Sequence, residues 1–326
     1  MKKYILTGAA GFIASRVAEF LLDEGHMVIG SDNLNDAYDV RMKEYRLKKL
    51  SARDGFVFHA LDIADRAVLS DQVEPQADGV AAIINLAARA GVRASVENPW
   101  VYVDTNLTGT LNLLELSRSA KIPKFILAST SSVYGEGAPL PTPEDYDSNH
   151  PLQSYAATKK AAEVLTHAYH HLYGIDVTVF RYFTVYGPAV RPDMSVFRFV
   201  KWIAESLPLR LNGDGEQSRG FTFLDDIARG TILGLKPVGY EIFNLGGHEN
   251  ITINELIARI EELIGAQADV THFPFHPADM RSNLADVSKA RRILDWEPQV
   301  SLKDGLAACV EWYRREQDWA KEIETG

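Results

Sequence analysis

Along the first 180 residues, short apolar runs alternate with amphipathic stretches whose hydrophobic positions recur at helical spacing. The runs Tyr4–Thr7, Met27–Ser31, Val57–His59, Ala81–Leu86, Lys124–Ala128 and Val177–Arg181 predict strands. The stretches at 11–24, about 40–50, 66–73, 101–119 and 154–172 predict helices. Such alternation specifies an α/β fold, a parallel, doubly wound sheet whose ligand binds at the carboxyl ends of the strands. After Arg181 the regularity breaks at Gly187-Pro188, Arg191-Pro192, Leu207-Pro208 and Asn212-Gly213-Asp214-Gly215. Helical spacing returns near 253–264 and 302–315. The expectation is a Rossmann-type sheet domain over residues 1–181 and a smaller α/β domain, mainly for substrate, over 182–326, with elements interleaved.

Composition narrows the partners. The chain of 326 residues carries 34 basic and 44 acidic groups, a formal charge of −10. Neither half is basic, which disfavours nucleic acid and acidic membrane surfaces, since both need clustered Lys and Arg. Cys309 is the single cysteine, so no internal disulfide and no multi-thiolate metal site can form. The segment Met1–Leu22 begins like a secretory leader, but Arg16 and Glu19 interrupt it. With no run as long as the roughly 18 apolar residues of a membrane span, a cytoplasmic protein is expected.

The first strand runs into Thr7-Gly8-Ala9-Ala10-Gly11-Phe12-Ile13-Ala14, which opens a helix. Gly8 and Gly11 would let backbone approach a pyrophosphate, and the N–H groups at Phe12 and Ile13 would meet it. A glycine pair serving only a tight turn is the alternative. Asp32, followed by Asn33, ends the second strand. A carboxylate there accepts ribose hydroxyls and repels a 2′-phosphate, favouring NAD over NADP; a turn aspartate is the competing reading. Asp62-Ile63 after the third strand and Leu86-Ala87-Ala88 after the fourth would border the same cofactor.

Tyr155 and Lys159 stand four residues apart on one helix face. A free phenol, with a pKa near 10, is a poor base at neutral pH unless a cation stabilises its anion. The pair also suits a solvated face, so it gains weight only beside Asp32 and the glycine loop. Ala128-Ser129-Thr130-Ser131-Ser132-Val133-Tyr134-Gly135 ends the fifth strand, where its hydroxyls would meet a reacting sugar hydroxyl or form a polar turn. His167, His170 and His171 lack a matching set of carboxylates, and no metal is expected.

These pieces, with Asn106–Thr110, Arg181–Pro188, Phe221–Asp226, Phe243–Gly246, Asp286–Ala290 and Trp296-Glu297-Pro298, resemble the extended short-chain dehydrogenases/reductases. The likeness is to their nucleotide-sugar epimerase and dehydratase branch. It implies NAD as cofactor, with Asn106 beside it, proton transfer by Tyr155 and Lys159, and a reacting hydroxyl held by Thr130. Three stretches, 32–40, 88–93 and 184–194, resemble the branch that epimerises UDP-glucuronic acid at carbon 4. There the likeness implies that Arg191, Ser132 and Thr184 hold the sugar carboxylate, with Ser131 alongside; a solvated Arg191 is the alternative. Dehydratases of the branch carry Asp-Glu after the threonine, and decarboxylases carry a glutamate two residues after it. Ser131 and Ser132 occupy those positions here.

For the diphosphate the candidates are Arg219, Arg281 and Arg93, with Asp279 nearby. Gly220 stands where the family has aspartate, and His276 where it commonly has arginine. A UDP-glucose 4-epimerase acting on neutral UDP-sugars, a UDP-glucuronate decarboxylase and a non-catalytic NAD-binding protein are the competing functions. The helices near 101–119 and 154–172 resemble the pair that forms a homodimer interface in the family.

Overall fold

A computed structural model describes residues 1–275 and 279–325. Its strands are, in chain order, β1 (Lys3–Thr7), β2 (Met27–Asp32), β3 (Phe56–Ala60), β4 (Val80–Asn85), β5 (Lys124–Thr130), β6 (Asp176–Tyr182) and β7 (Thr184–Tyr186). They continue as β8 (Leu209–Asn212), β9 (Ser218–Phe223), β10 (Tyr240–Leu245), β11 (Asn250–Thr252), β12 (Val270–Phe273) and β13 (Ser282–Asn283). Seven strands form one parallel sheet in the order β10-β6-β5-β4-β1-β2-β3. Every residue of β5 is buried, as suits a central strand covered on both faces. The order reverses between β1 and β4, so a crevice opens at their carboxyl ends.

The doubly wound reading holds, and its strand positions agree with the sheet to within a residue or two. Two features differ from the expectation. Residues 101–119 are not one regular helix: Val103–Thr108 form a π-helical turn before the helix Gly109–Ser119. Asn106 lies in that turn, where its buried amide bonds the backbone of Arg89 on both sides, Oδ1 to N at 2.9 Å and Nδ2 to O at 3.0 Å. Also, the seventh strand, β10, comes from the C-terminal half and pairs along β6 from Tyr240↔Val177 to Leu245↔Tyr182.

The remaining strands make small sheets over the carboxyl edge, with β7, β11 and β13 all pairing with β9. The helix Ile253–Ile264 is bounded by local chemistry. Thr252 and Glu255 form a reciprocal capping box, and Gly265 ends the helix at φ 82°. Cys309 is buried in the core of the helix Leu302–Ala320. The leader-like start is β1 and the helix Phe12–Asp23, both built into the core. Among the described residues, no helix is long and apolar enough to cross a membrane.

Candidate active site

The glycine loop is tight because backbone meets backbone. Gly8 has φ 73°, and a Cβ there would lie 2.8 Å from the Ala87 nitrogen. A Cβ on Gly11 would lie 2.8 Å from the Gly8 carbonyl oxygen. No side chain caps the helix Phe12–Asp23, so the N–H groups of its first turn face the crevice end of β1 unpaired by a cap. Thr7 ties the two strands at the reversal: its hydroxyl donates to Asn85 Oδ1 at 2.8 Å and accepts from the Ala87 N–H at 3.1 Å.

Asp32, at the end of β2, is buried. Its Oδ1 accepts from the Leu34 N–H at 2.8 Å and from Lys43 Nζ at 3.3 Å. Asn33 donates to Asp62 at 2.8 Å, and the other Asp62 oxygen accepts from the Ala64 N–H at 2.8 Å. Ile63 is buried against Gly109, while Leu86, Ala87 and Ala88 remain half-exposed along the crevice. Asn106 instead lies behind the 86–90 segment, its amide bonded to Arg89 and to Thr158 Oγ1 at 3.1 Å.

Tyr155 occupies the first turn of the helix Ser154–Tyr173, and Lys159 the next. The Lys159 ammonium, buried, donates to the Ala128 carbonyl in β5 at 2.8 Å. Burial lowers its pKa to about 8, with the Glu163 carboxylate acting in the opposite direction. The Tyr155 phenol is pushed up by burial, against the pull of a hydrogen bond with Thr130 and of the Arg191 charge. Thr130 ends β5, its hydroxyl donating to Ser132 Oγ at 3.3 Å and accepting from the Ser132 N–H at 3.2 Å. Tyr102 packs edge-on to Tyr155, with ring centroids 6.2 Å apart. Its hydroxyl donates to the Ala90 and Gly91 carbonyls at 3.2 and 3.0 Å.

Ser131 accepts from Asn283 Nδ2 at 2.8 Å, and both residues line a cavity of about 280 Å³ with Tyr134, Gly137, Thr142 and Met280. Thr184 opens β7 beside β9. Arg191 is half-buried, paired with Asp193 and lying 5.8 Å from the Tyr38 ring centroid. The Arg191 guanidinium is held firmly charged by Asp193 against the effect of burial.

The other basic candidates gather around residues 279–281. Arg93 forks onto Asp279, Nε to Oδ1 at 3.2 Å and Nη2 to Oδ2 at 2.6 Å. Arg219 donates to the carbonyls of Met280 at 2.6 Å and Arg281 at 3.1 Å. Arg281 lies over the Phe275 ring at 5.4 Å. His276 lies outside the described residues. Gly220 fills a space that a side chain would contest, since a Cβ there would meet the Gly247 carbonyl at 3.0 Å.

Sequence reasoning missed Lys43, Tyr38, Tyr102, Arg198 and Asn283. Lys43 and Tyr38 had a signal in the charged, aromatic stretch after Asp32. Arg198 and Asn283 carried none, because only the folded chain brings Arg198 near Arg93 and Asn283 against Ser131. Among the described residues, no group of three or more His, Cys, Asp or Glu could hold a metal ion.

Residues 4–246 match the NAD dependent epimerase/dehydratase family. The chain is 54% identical to a UDP-glucuronate 4-epimerase of Thermodesulfobacterium geofontis, covering 99% of each chain. Its fold matches the crystal structure of UDP-glucuronic acid 4-epimerase from Bacillus cereus in complex with UDP-glucuronic acid and NAD. That match has a TM-score of 0.89 at 36% identity, covering 96% of this chain and 99% of the other. A UDP-glucose 4-epimerase of Thermotoga maritima matches at TM-score 0.88 and 31% identity, over 97% and 99% of the two chains.

Proposed function

Because the chain belongs to the NAD dependent epimerase/dehydratase family, we propose that it interconverts UDP-glucuronic acid and UDP-galacturonic acid by inversion at carbon 4. One observation carries the reading: the Tyr155 phenol bonds the Thr130 hydroxyl at the end of β5 and lies within the field of the Arg191 charge. A proton acceptor, a hydroxyl ligand and a carboxylate ligand are what a uronic acid needs for chemistry at carbon 4.

The crevice fits NAD. The Gly8–Gly11 cradle leaves no room for a Cβ, the helix behind it has free N–H groups, and Asp32 Oδ2 has no hydrogen-bond partner among the described residues. Gly8, Gly11, Phe12 and Ile13 would hold the pyrophosphate, Asp32 the adenosine ribose, and Asn33, Asp62 and Ile63 the adenine side. Leu86, Ala87 and Ala88 would border the cofactor, which Asn106 supports from behind. When bound, NAD accepts a hydride from carbon 4 and returns it, so no outside oxidant is consumed.

Tyr155 takes the proton of the 4-hydroxyl and later gives it back. Burial opposes its ionisation, and the Arg191 charge offsets part of that cost. Lys159, one helical turn on and mostly charged at neutral pH with a pKa of about 8, is the second cation this reading assigns to the phenolate. Thr130 holds the reacting oxygen against the phenol. The oxidised sugar is a β-keto acid, which loses carbon dioxide when its carboxylate bond aligns with the keto π system. Arg191, Ser132 and Thr184 hold the carboxylate out of that alignment. Ser131 and Ser132 offer no acid where the resembling decarboxylases and dehydratases have one. Arg93, Arg219 and Arg281, with Asp279 setting the fork of Arg93, hold the nucleotide diphosphate, so an acidic protein meets an anionic substrate through local arginines.

We further read the protein as a cytoplasmic homodimer. Trp100, Val164 and Leu172 are exposed by 77%, 60% and 65% on the adjoining segments 100–119 and 154–173. The test is incubation of the purified protein with UDP-glucuronate, UDP-glucose and their 4-epimers, with identification of the products. Interconversion of the two uronates is expected. A pentose product would identify a decarboxylase, and conversion of UDP-glucose alone would identify a neutral-sugar epimerase.

A further inference from the structure

The Arg191 guanidinium is fixed on two sides. Its Nε donates to Asp193 Oδ1 at 3.0 Å and its Nη2 to Asp193 Oδ2, a side-on fork. Its Cζ lies over the Tyr38 ring, 5.8 Å from the centroid. The fork is built by a short turn. The Met194 N–H donates to the Arg191 carbonyl at 3.1 Å across Pro192, whose ring limits φ, and the helix Ser195–Ala204 follows at once. Arg46 ties the preceding loop to the cofactor side, donating to the carbonyls of Ala189 at 2.7 Å and Ala10 at 3.1 Å. It also donates to the Tyr38 hydroxyl at 3.0 Å. The edge of Arg191 left over is Nη1 with the second hydrogen of Nη2; no described residue accepts from Nη1.

We propose that Asp193 is a positioning residue for carboxylate recognition: it occupies the side-on edge of Arg191 and thereby presents the end-on edge to the sugar carboxylate. The inference rests on the assignment of Arg191 to that carboxylate. An unrestrained arginine offers two edges and many rotamers, and ordering it on binding costs affinity. Asp193 removes one edge and most of the rotamers beforehand. It also keeps Arg191 charge-paired when the ligand has no carboxylate, so selectivity arises from a preset second pair of hydrogen bonds, not from a lone cation.

The experiment measures binding of UDP-glucuronate and UDP-glucose by calorimetry to the NAD-loaded protein and to its Asp193→Ala, Asp193→Asn and Arg191→Ala variants. Asp193→Ala should weaken UDP-glucuronate about tenfold and shift UDP-glucose by no more than about twofold. Asp193→Asn keeps an oxygen to accept from Nε and should recover most of the loss, which a merely misfolded loop would not. Two results overturn the role of Asp193 while Arg191→Ala remains selective: equal losses for both ligands, or no loss in Asp193→Ala. If Arg191→Ala weakens both ligands equally, the carboxylate assignment fails first and takes the proposal with it.

Discussion

Arg181 and Glu163 form a side-on ion pair, both side chains 2% exposed, one helical turn beyond Lys159. Arg181 Nε donates to Glu163 Oε1 at 2.9 Å and Nη2 to Oε2 at 2.8 Å, while Ser129 adds a hydrogen bond to Oε1 at 2.5 Å. Arg181 further donates to the Glu144 carbonyl and to Ser148, and lies over the Tyr134 ring. The pair thus joins β5, β6 and the helix that carries Tyr155 and Lys159. It also supplies the anion that favours the charged form of Lys159.

Glu163→Gln should therefore destabilise the protein strongly. It leaves a buried guanidinium uncompensated, a loss of about 3–5 kcal/mol. Urea unfolding would measure it, and a loss below about 1 kcal/mol would show that the pair acts like a surface contact.

Tyr155→Phe removes the only atom proposed to exchange the sugar proton. Turnover should fall by at least ~100-fold while NAD stays bound, as read by cofactor absorbance after gel filtration. An active variant would rule out the phenol as the base.

Lys159→Met tests the cost of the buried cation. The folded-state pKa, about 8, lies below the ordinary 10.5. Between those values the unfolded chain binds more protons than the native one, so wild-type stability rises with pH across that window. Below about pH 8 the penalty, of order 3 kcal/mol, is fully present. The Met variant should be the more stable protein at pH 7, and its advantage should shrink toward pH 10. A difference independent of pH would count against a depressed lysine.

Gly8→Ala meets both a left-handed φ of 73° and the Ala87 backbone at 2.8 Å. It should cost more than ~1 kcal/mol and release NAD, both visible by thermal unfolding with and without added cofactor. Full cofactor retention would mean that the loop is looser than its geometry.

Val164→Asp puts a charge on the exposed face shared by the segments 100–119 and 154–173, where Val164 is 60% exposed. A monomer with unchanged circular dichroism is expected by light scattering. A dimer that survives the charge would move the interface elsewhere.

The amino-acid sequence by itself determined what depends on neighbours along the chain. Short apolar runs and helical spacings set the strands and helices, Gly8 marks a backbone that needs positive φ, and Tyr155 and Lys159 share a face because four residues make about one helical turn. Local breakers predict a boundary at 181–182, whereas β10, from beyond it, completes the sheet against β6. A strand pattern states which face is apolar but not which edge is vacant. Tertiary structure alone decided the partners of the polar groups. Asn106 turned to the Arg89 backbone, Arg219 to the carbonyls of 280–281, Arg93 to Asp279 across 186 residues, and Arg181 to Glu163. An arginine or an amide can satisfy its donors in many ways. The choice is settled by which carbonyls and carboxylates folding carries within about 3 Å, and that distance is set by packing, not by spacing in the chain.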